Sequence, residues 1–532
     1  MSLTFLFGAL AGAATLILAL HKLLQNYHDP REPPLAPQSI PFIGHLVGMS
    51  RRSFNYHADL ARKVVGAPIY TMSLPGQKMY IATSSELVQA VQKQHKILAF
   101  APLAAKFVVK ICGMSQEGDS MIKKNLSGDE GNESLWLAAE SHIHNTLKPG
   151  ANLDDMNHSM IEEVVRELNE LQPGPGKLAK IGMYHWLKGV ITTATTRSVY
   201  GPMNPYDDKD IADAFWDFQE GIVALLLGIL PTLTARKPTA AREKVVKAFV
   251  KYYQAGGHKQ ASTYARGRYE LPSSYGMSVD DIARAEVSGS VAIMVNTAPA
   301  TFWTLLLIHS HPGLLEEIRK EIDACTEITT DSHGKITKSL DITTLKTSCP
   351  LLLSTYQEVL RYRTMGVSIR EVLSDTVVSG YLLKKGAMLQ MPARVLHTDP
   401  NNWGPTVDEF DPRRFLPSSS DNKNRPRKDT CYRPFGGGKT LCPGRHFATN
   451  EVLAAVSLAV ARFDMKPVKG KWELPSAHNT SAATVIMEPD FDLDVEVATR
   501  KGFEDVTKWD VTLKKSDAFF ALVTEDQEFS EK

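Results

Sequence analysis

Three consecutive glycines, a lone cysteine and a helix-forming run make Phe435-Gly436-Gly437-Gly438-Lys439-Thr440-Leu441-Cys442-Pro443-Gly444-Arg445-His446-Phe447-Ala448 the segment best equipped for chemistry. Without Cβ atoms, such a loop lets backbone approach a flat ligand closely. Amides aimed at the Cys442 sulfur, helped by the positive end of the following helix, would hold it as a thiolate, the form that binds metals. Gly444 and Ala448 lie four apart and so present one small-residue face to that ligand. Gly438-Lys439-Thr440 also looks like the end of a phosphate-binding loop, but the first glycine of that motif would fall on Arg433, and the reading fails. A buried structural cysteine beside a glycine turn stays open as the bland alternative.

The surrounding elements read as follows. Residues 50–365 are mainly helical, with breaks near 148–152 and 172–176. A long helix is expected over 279–310, entered at Ser278-Val279-Asp280-Asp281, where Ser278 caps and the aspartates suit the helix dipole. A second helix follows His311-Pro312-Gly313, and a third runs from about Pro350 to Arg363. Residues 367–392 switch to β-branched alternation with turns at Ser379-Gly380 and Lys385-Gly386. A meander at 399–434 is rich in Pro, Asn, Asp and Arg, and helical periodicity returns at 447–462. The fold class is mainly α with small β-sheets.

The 532 residues are 43% hydrophobic and 22% charged, with formal net charge +1. That balance argues against a nucleic-acid partner. The five cysteines form no Cys-x-x-Cys pair, which argues against a zinc ribbon, and their odd number suits a reducing compartment. Leu3 to Leu20 is uncharged and long enough for a transmembrane helix, with a cleaved signal as the competing reading. Lys22 and Arg31 then place the remainder in the cytosol. The expected organisation is an anchor at 1–24, a proline-rich hinge at 25–49 and a catalytic domain at 50–532. The hinge prolines favour extended backbone over helix.

The loop resembles the haem-binding signature of cytochromes P450, matching at Phe435, Gly438, Cys442, Gly444 and Ala448. This resemblance implies the P450 fold, haem b (iron protoporphyrin IX) ligated by Cys442, and monooxygenase chemistry. It further implies an NADPH-dependent flavoprotein reductase as electron donor and residence in the endoplasmic reticulum membrane. Glu358 and Arg361 match the family's Glu-x-x-Arg pair, and their spacing puts both on one helical face. Asp411-Pro412-Arg413-Arg414-Phe415 resembles the Pro-x-Arg-Phe segment, so Arg414 is expected to join them in a buried structural network. Arg370 occupies a strand position where the family often binds a haem propionate; an ordinary surface arginine is the other reading. Lys423, Arg425, Arg427, Lys428, Arg433, Lys439 and Arg445 suit docking of an acidic flavoprotein or form a merely solvated charge run.

Three departures from the family pattern stand out. Thr440 replaces a basic residue two positions before the thiolate. Trp136 is present, but Glu140 stands where its arginine partner belongs. In the long helix, Ala298 and Pro299 replace the acid–threonine pair that delivers protons during dioxygen activation. Asn296 shares the face of Pro299, and its amide could position a water, while Pro299 frees the Val295 carbonyl and kinks the helix. The segment Asn296-Thr297-Ala298-Pro299-Ala300-Thr301-Phe302-Trp303, Thr440 and Glu32-Pro33-Pro34-Leu35 resemble the branch holding steroid 7α- and 12α-hydroxylases and, more distantly, prostacyclin synthase. The resemblance implies hydroxylation of a lipophilic substrate such as a sterol, triterpenoid or other terpenoid. A peroxide isomerase or dehydratase needing no reductase is the alternative, and a non-catalytic haem sensor or carrier is a third.

Overall fold

The computed structural model describes residues 28–38, 40–52, 55–64, 66–131, 134–174, 176–228, 231–416, 431–481 and 483–514, with isolated positions before residue 23. Most of the run Leu3 to Leu20 and the basic stretch Lys423 to Lys428 lie outside them. The chain forms two compact units, and each takes several separate stretches of sequence. The smaller holds residues 1–103, 365–408 and 425–440; the larger holds 104–364, 409–424 and 441–532.

The smaller unit is built on a five-stranded sheet ordered Ile69–Leu74, Gln77–Ala82, Met388–Pro392, Val367–Val372, Leu98–Ala99. Pro75-Gly76 closes the first hairpin, with Gly76 at φ +71° where a side chain would be strained. Met388 pairs in parallel with Met79, and every other pairing is antiparallel. Ile69, Tyr80, Leu389 and Val372 supply one apolar face, covered by Leu87, Val88 and Val91 of the helix Ser85–Lys93. Ser84 caps that helix by accepting from the Leu87 amide. The alternation in 367–392 yields strands, with the expected reversals at Ser379 and Gly380 (φ +48° and +86°) and at Gly386 (φ +80°).

Residues in the expected hinge have definite partners. Pro34 and Ala36 bond to the backbone of Thr71, extending the sheet edge, and Gly44–Arg52 is a helix. Glu32 is buried, accepting from Lys78 Nζ and Tyr80 Oη, both at 2.6 Å.

The larger unit is mainly helical, with two three-stranded sheets ordered Phe463–Pro467, Asp494–Thr499, Ala179–Gly182 and Val506–Thr512, Ile336–Asp341, Thr326–Thr330. Residues 50–365 therefore contain more strand than the sequence reading allowed. These strands are four to seven residues long, too short to carry a clear period-two signal. The expected helix over 279–310 is entered at Ser278 as anticipated, its hydroxyl accepting from the Asp281 amide. It is not continuous. Val279–Met294 ends and Thr297–Ser310 begins across Val295 and Asn296. Pro299 has no amide to offer the Val295 carbonyl, so the ladder opens one turn upstream of it. Taken together, Val279–Ser310 is long and apolar enough to cross a membrane, but it is mostly buried as a core helix. Thr297–Ser310 packs against Met183–Tyr200, Pro350–Arg363 and Arg445–Arg462.

Burial pushes the Glu32 carboxyl up, but the bonds from Lys78 and Tyr80 outweigh this and leave it below its ordinary value of 4.5. Its contribution is thus fully present above that value and lost as pH falls through the lowered folded value. Glu32→Gln should lower the melting midpoint at pH 7, at a cost of about 1–3 kcal/mol. The gap from wild type should narrow on acidification, which thermal melts between neutral pH and pH 3 would show.

Candidate active site

In the larger unit, Cys442 sits just before the helix Arg445–Arg462. From Thr449 to Arg462 every residue of that helix is buried, which fixes its start firmly. Burial pushes the Cys442 thiol up, while the backbone amides of Gly444 and Arg445 and the Arg445 charge pull the other way. Arg445 Nη1 also donates to the Cys442 carbonyl at 3.0 Å. The thiol is free, and among the described residues no cluster of His, Cys, Asp or Glu offers a metal site that would claim it.

The helix start carries one bare stripe. Gly444 and Ala448 are half-buried, although His446, Phe447 and Thr449 beside them are buried. A Cβ built on Gly444 would find only Leu147 Cδ1, at 4.0 Å. The Ala448 amide bonds to the Gly444 carbonyl, so the two stack one turn apart on that stripe. A sulfur at one end of a small-residue face open to an occupant suits a thiolate-ligated planar group.

In the smaller unit, Phe435 is half-buried and precedes a loop in which Gly436 and Gly438 take left-handed backbone (φ +79° and +59°). A Cβ on Gly438 would come within 3.0 Å of the Gln92 side chain. Arg370, in the strand Val367–Val372, is only 3% exposed. It donates to Thr440 Oγ1 and to the Ile369 carbonyl, both at 2.7 Å. Burial, with Arg433 nearby, lowers it to about 10. No carboxylate pairs with it among the described residues. Burying a guanidinium with no anion beside it is costly. Thr440 therefore has a definite partner: its hydroxyl accepts from Arg370 and donates to the Gly437 carbonyl at 3.3 Å. The sequence reading missed this, because strand 367–372 and residue 440 are far apart in the chain.

Glu358, Arg361 and Arg414 do meet, all in the larger unit. Glu358 and Arg361 are fully buried and Arg414 nearly so. Arg361 grips the carboxylate with Nε and Nη2, each at 2.8 Å, and Arg414 Nε adds bonds of 3.0 and 3.1 Å. Both guanidiniums also donate to the Glu409 carbonyl, and Glu358 accepts from the Asp411 amide. The network thereby fastens residues 409–414 to the helix Pro350–Arg363. Tyr356 on that helix bonds to Thr449 on the helix behind Cys442, at 3.2 Å.

At the helix break, Asn296 is half-buried and its Oδ1 accepts from the amides of Val485 and Ile486, at 2.7 and 3.3 Å. Nearby, Trp303 Nε1 donates to the Met487 carbonyl at 2.7 Å. Asn296 is thus a latch between the break and residues 485–487, and only its Nδ2 remains to serve the expected water. Ala298 and Pro299 are buried and bring no proton donor. The Thr301 hydroxyl is taken up by the Thr297 carbonyl, at 2.9 Å. Trp136 lies in the helix Leu135–Leu147.

The family model for cytochrome P450 matches residues 33–494. The chain belongs to the cytochrome P450 family. It is 37% identical to the cytochrome P450 monooxygenase nodJ of Hypoxylon pulicicidum, over 93% of this chain and 95% of that one. It is 24% identical to the 5-beta-cholestane-3-alpha,7-alpha-diol 12-alpha-hydroxylase of Sus scrofa, over 91% and 96%. The solved structure of retinoic acid-bound cyanobacterial CYP120A1 shares the fold, with TM-score 0.66 at 18% identity, covering 89% of this chain and 100% of that one. The chain is an enzyme, a P450 monooxygenase, and the family implies a haem cofactor. The free sulfur and the bare Gly444–Ala448 stripe fit such a group.

Glu358→Gln should leave two buried guanidiniums without their shared anion, a loss of about 3–5 kcal/mol. The expected outcome is protein with a sharply lowered melting midpoint and little haem per chain, checked by calorimetry and pigment-to-protein ratio.

Proposed function

We propose that this P450 hydroxylates a lipophilic substrate, a sterol, triterpenoid or other terpenoid, in secondary metabolism. It takes dioxygen and NADPH-derived electrons from a flavoprotein reductase, and it is anchored by one N-terminal span in the endoplasmic reticulum membrane with the catalytic domain in the cytosol. The observation that carries the reading is the free Cys442 thiol at the start of a buried helix beside a stripe left open to a flat ligand. The substrate class is supported by near full-length relatives named as steroid hydroxylases, among them the 25-hydroxycholesterol 7-alpha-hydroxylase of Rattus norvegicus at 26% identity.

Each residue then has a task. Cys442 would ligate the haem iron, the Gly444 and Arg445 amides would steady the sulfur's charge, and Gly444 and Ala448 would leave room for the ring. Phe435 and Gly438 shape the loop, and Arg370, oriented by Thr440, meets a propionate. Bound haem supplies the iron centre that reduces dioxygen, and a thiolate ligand favours O–O cleavage. Asn296 is no acid; held by its oxygen, it directs Nδ2 at a water or a substrate hydroxyl, which must then carry the proton. Arg433, Lys439 and Arg445, with the basic residues between 423 and 428, serve reductase docking.

The second reading, rearrangement of a peroxide without reductase, draws on Ala298 and Pro299, since that chemistry has no need of the proton donors they replace. Incubation of purified protein with reductase, NADPH and candidate sterols separates the two. Coupled product formation supports the hydroxylase, whereas idle NADPH with rearrangement of an added endoperoxide supports the isomerase.

Reduced wild-type protein should give the red-shifted carbon monoxide Soret band of a thiolate-ligated haem, and Cys442→Ala should lose both band and product. Asn296→Asp keeps an acceptor for Val485 and Ile486 but loses the amide donor. It should melt like wild type while product per NADPH falls about tenfold, less than the roughly hundredfold or more that a group transferring the proton itself is worth. Undiminished coupling would remove Asn296 from the reaction.

A further inference from the structure

Cys325 and Cys349 lie 24 positions apart in sequence, yet their sulfurs are 3.7 Å from each other. Both are free thiols; Cys325 is half-buried and Cys349 fully buried. Their placement is structural rather than incidental. Cys325 ends the helix Leu314–Ala324, its amide bonded back to Ile322. Cys349 directly precedes the helix Pro350–Arg363, which carries Glu358 and Arg361. One turn before Cys325, the two oxygens of Glu321 accept from the Leu351 and Leu352 amides at 2.9 and 3.1 Å. That carboxylate straps the two helix ends together and holds the sulfurs in register. Closing the gap to a bond of about 2.0 Å asks for a shift of under two ångströms across this join.

We infer that Cys325 and Cys349 form an oxidation site, at which hydrogen peroxide converts the two thiols into a disulfide that clips the hairpin 326–341 and the helix Ile342–Ser348 into a closed loop. Peroxide arises whenever dioxygen takes up two electrons and two protons without oxidising a substrate. The outer sulfur reacts first. Cys325 Sγ attacks one peroxide oxygen, the O–O bond breaks, and the departing hydroxide leaves as water, giving a sulfenic acid. Cys349 Sγ then attacks that sulfur, the S–O bond breaks, and the Cys349 proton leaves with the hydroxide as a second water. The two sulfurs together lose two electrons, and one peroxide gains them. Burial, the adjacent Cys325 and Glu321 push the Cys349 thiol well up, so it is the slower sulfur toward peroxide and must give up its proton as it attacks the sulfenic acid. Cys112, fully buried and far along the chain, has no such neighbour in view of solvent.

The test treats full-length haem protein with a small excess of hydrogen peroxide in the presence of dimedone, blocks remaining thiols with N-ethylmaleimide and maps the peptides by mass spectrometry. The expected result is a Cys325–Cys349 cross-linked peptide that dithiothreitol removes. In Cys349→Ala, dimedone on Cys325 should rise at least tenfold over wild type. In Cys325→Ser, which leaves the buried position intact, Cys349 should stay reduced at a dose that cross-links wild type. Accumulation of dimedone on wild-type Cys325 beside a free Cys349, or maleimide on both after peroxide, overturns the assignment. So does equal oxidation of Cys349 in Cys325→Ser.

Discussion

One sulfur at the head of a helix buried from Thr449 to Arg462 sets the terms for the rest of the larger unit. Burial pushes this thiol up, and the amides of Gly444 and Arg445 with the Arg445 charge offset part of that push. Those groups hold position because the helix behind them cannot shift without disturbing the buried run from Thr449 to Arg462. Tyr356 then ties that helix to the one bearing Glu358 and Arg361, which in turn grips residues 409–414. Charges buried this deeply are tolerable only as a closed set, so the network works as an all-or-none fastener.

The break at Val295 and Asn296 shows how a departure from a family pattern can be absorbed. Proline in place of threonine removes a hydroxyl and a backbone donor together. The ladder opens, and Asn296 recovers order by offering its oxygen to two amides of a neighbouring segment. Its placement there is a matter of architecture first, and any part in moving protons is confined to the remaining nitrogen. Thr440 follows a similar logic: it brings no charge of its own, yet its hydroxyl fixes the orientation of the buried Arg370 guanidinium.

How much was legible beforehand depended on range. The glycine-rich turn before Cys442, the capped entry at Ser278 and the Glu358–Arg361 pair could be read because each is written within one or two turns of chain. Arg414 needed a family pattern, since nothing in its own surroundings names a partner more than fifty positions upstream. The Asn296 latch, the Arg370–Thr440 bond and the pinning of residues 33–36 to Thr71 were out of reach, for each joins segments with no shared periodicity. The strand Ile69–Leu74 failed for another reason. Five of its six residues are buried, and alternation vanishes when neither face meets water.

The order of strands in the five-stranded sheet carries a consequence for biosynthesis. Gln77–Ala82 emerges early from the ribosome, yet its parallel neighbour Met388–Pro392 is made only after most of the chain. Until then the first hairpin presents an unpaired, apolar edge, the kind of surface that invites association with other nascent chains. Residue 442 follows later still. Whatever binds that sulfur can be captured only near the end of translation, and the early hairpin must be sheltered for nearly the whole of it.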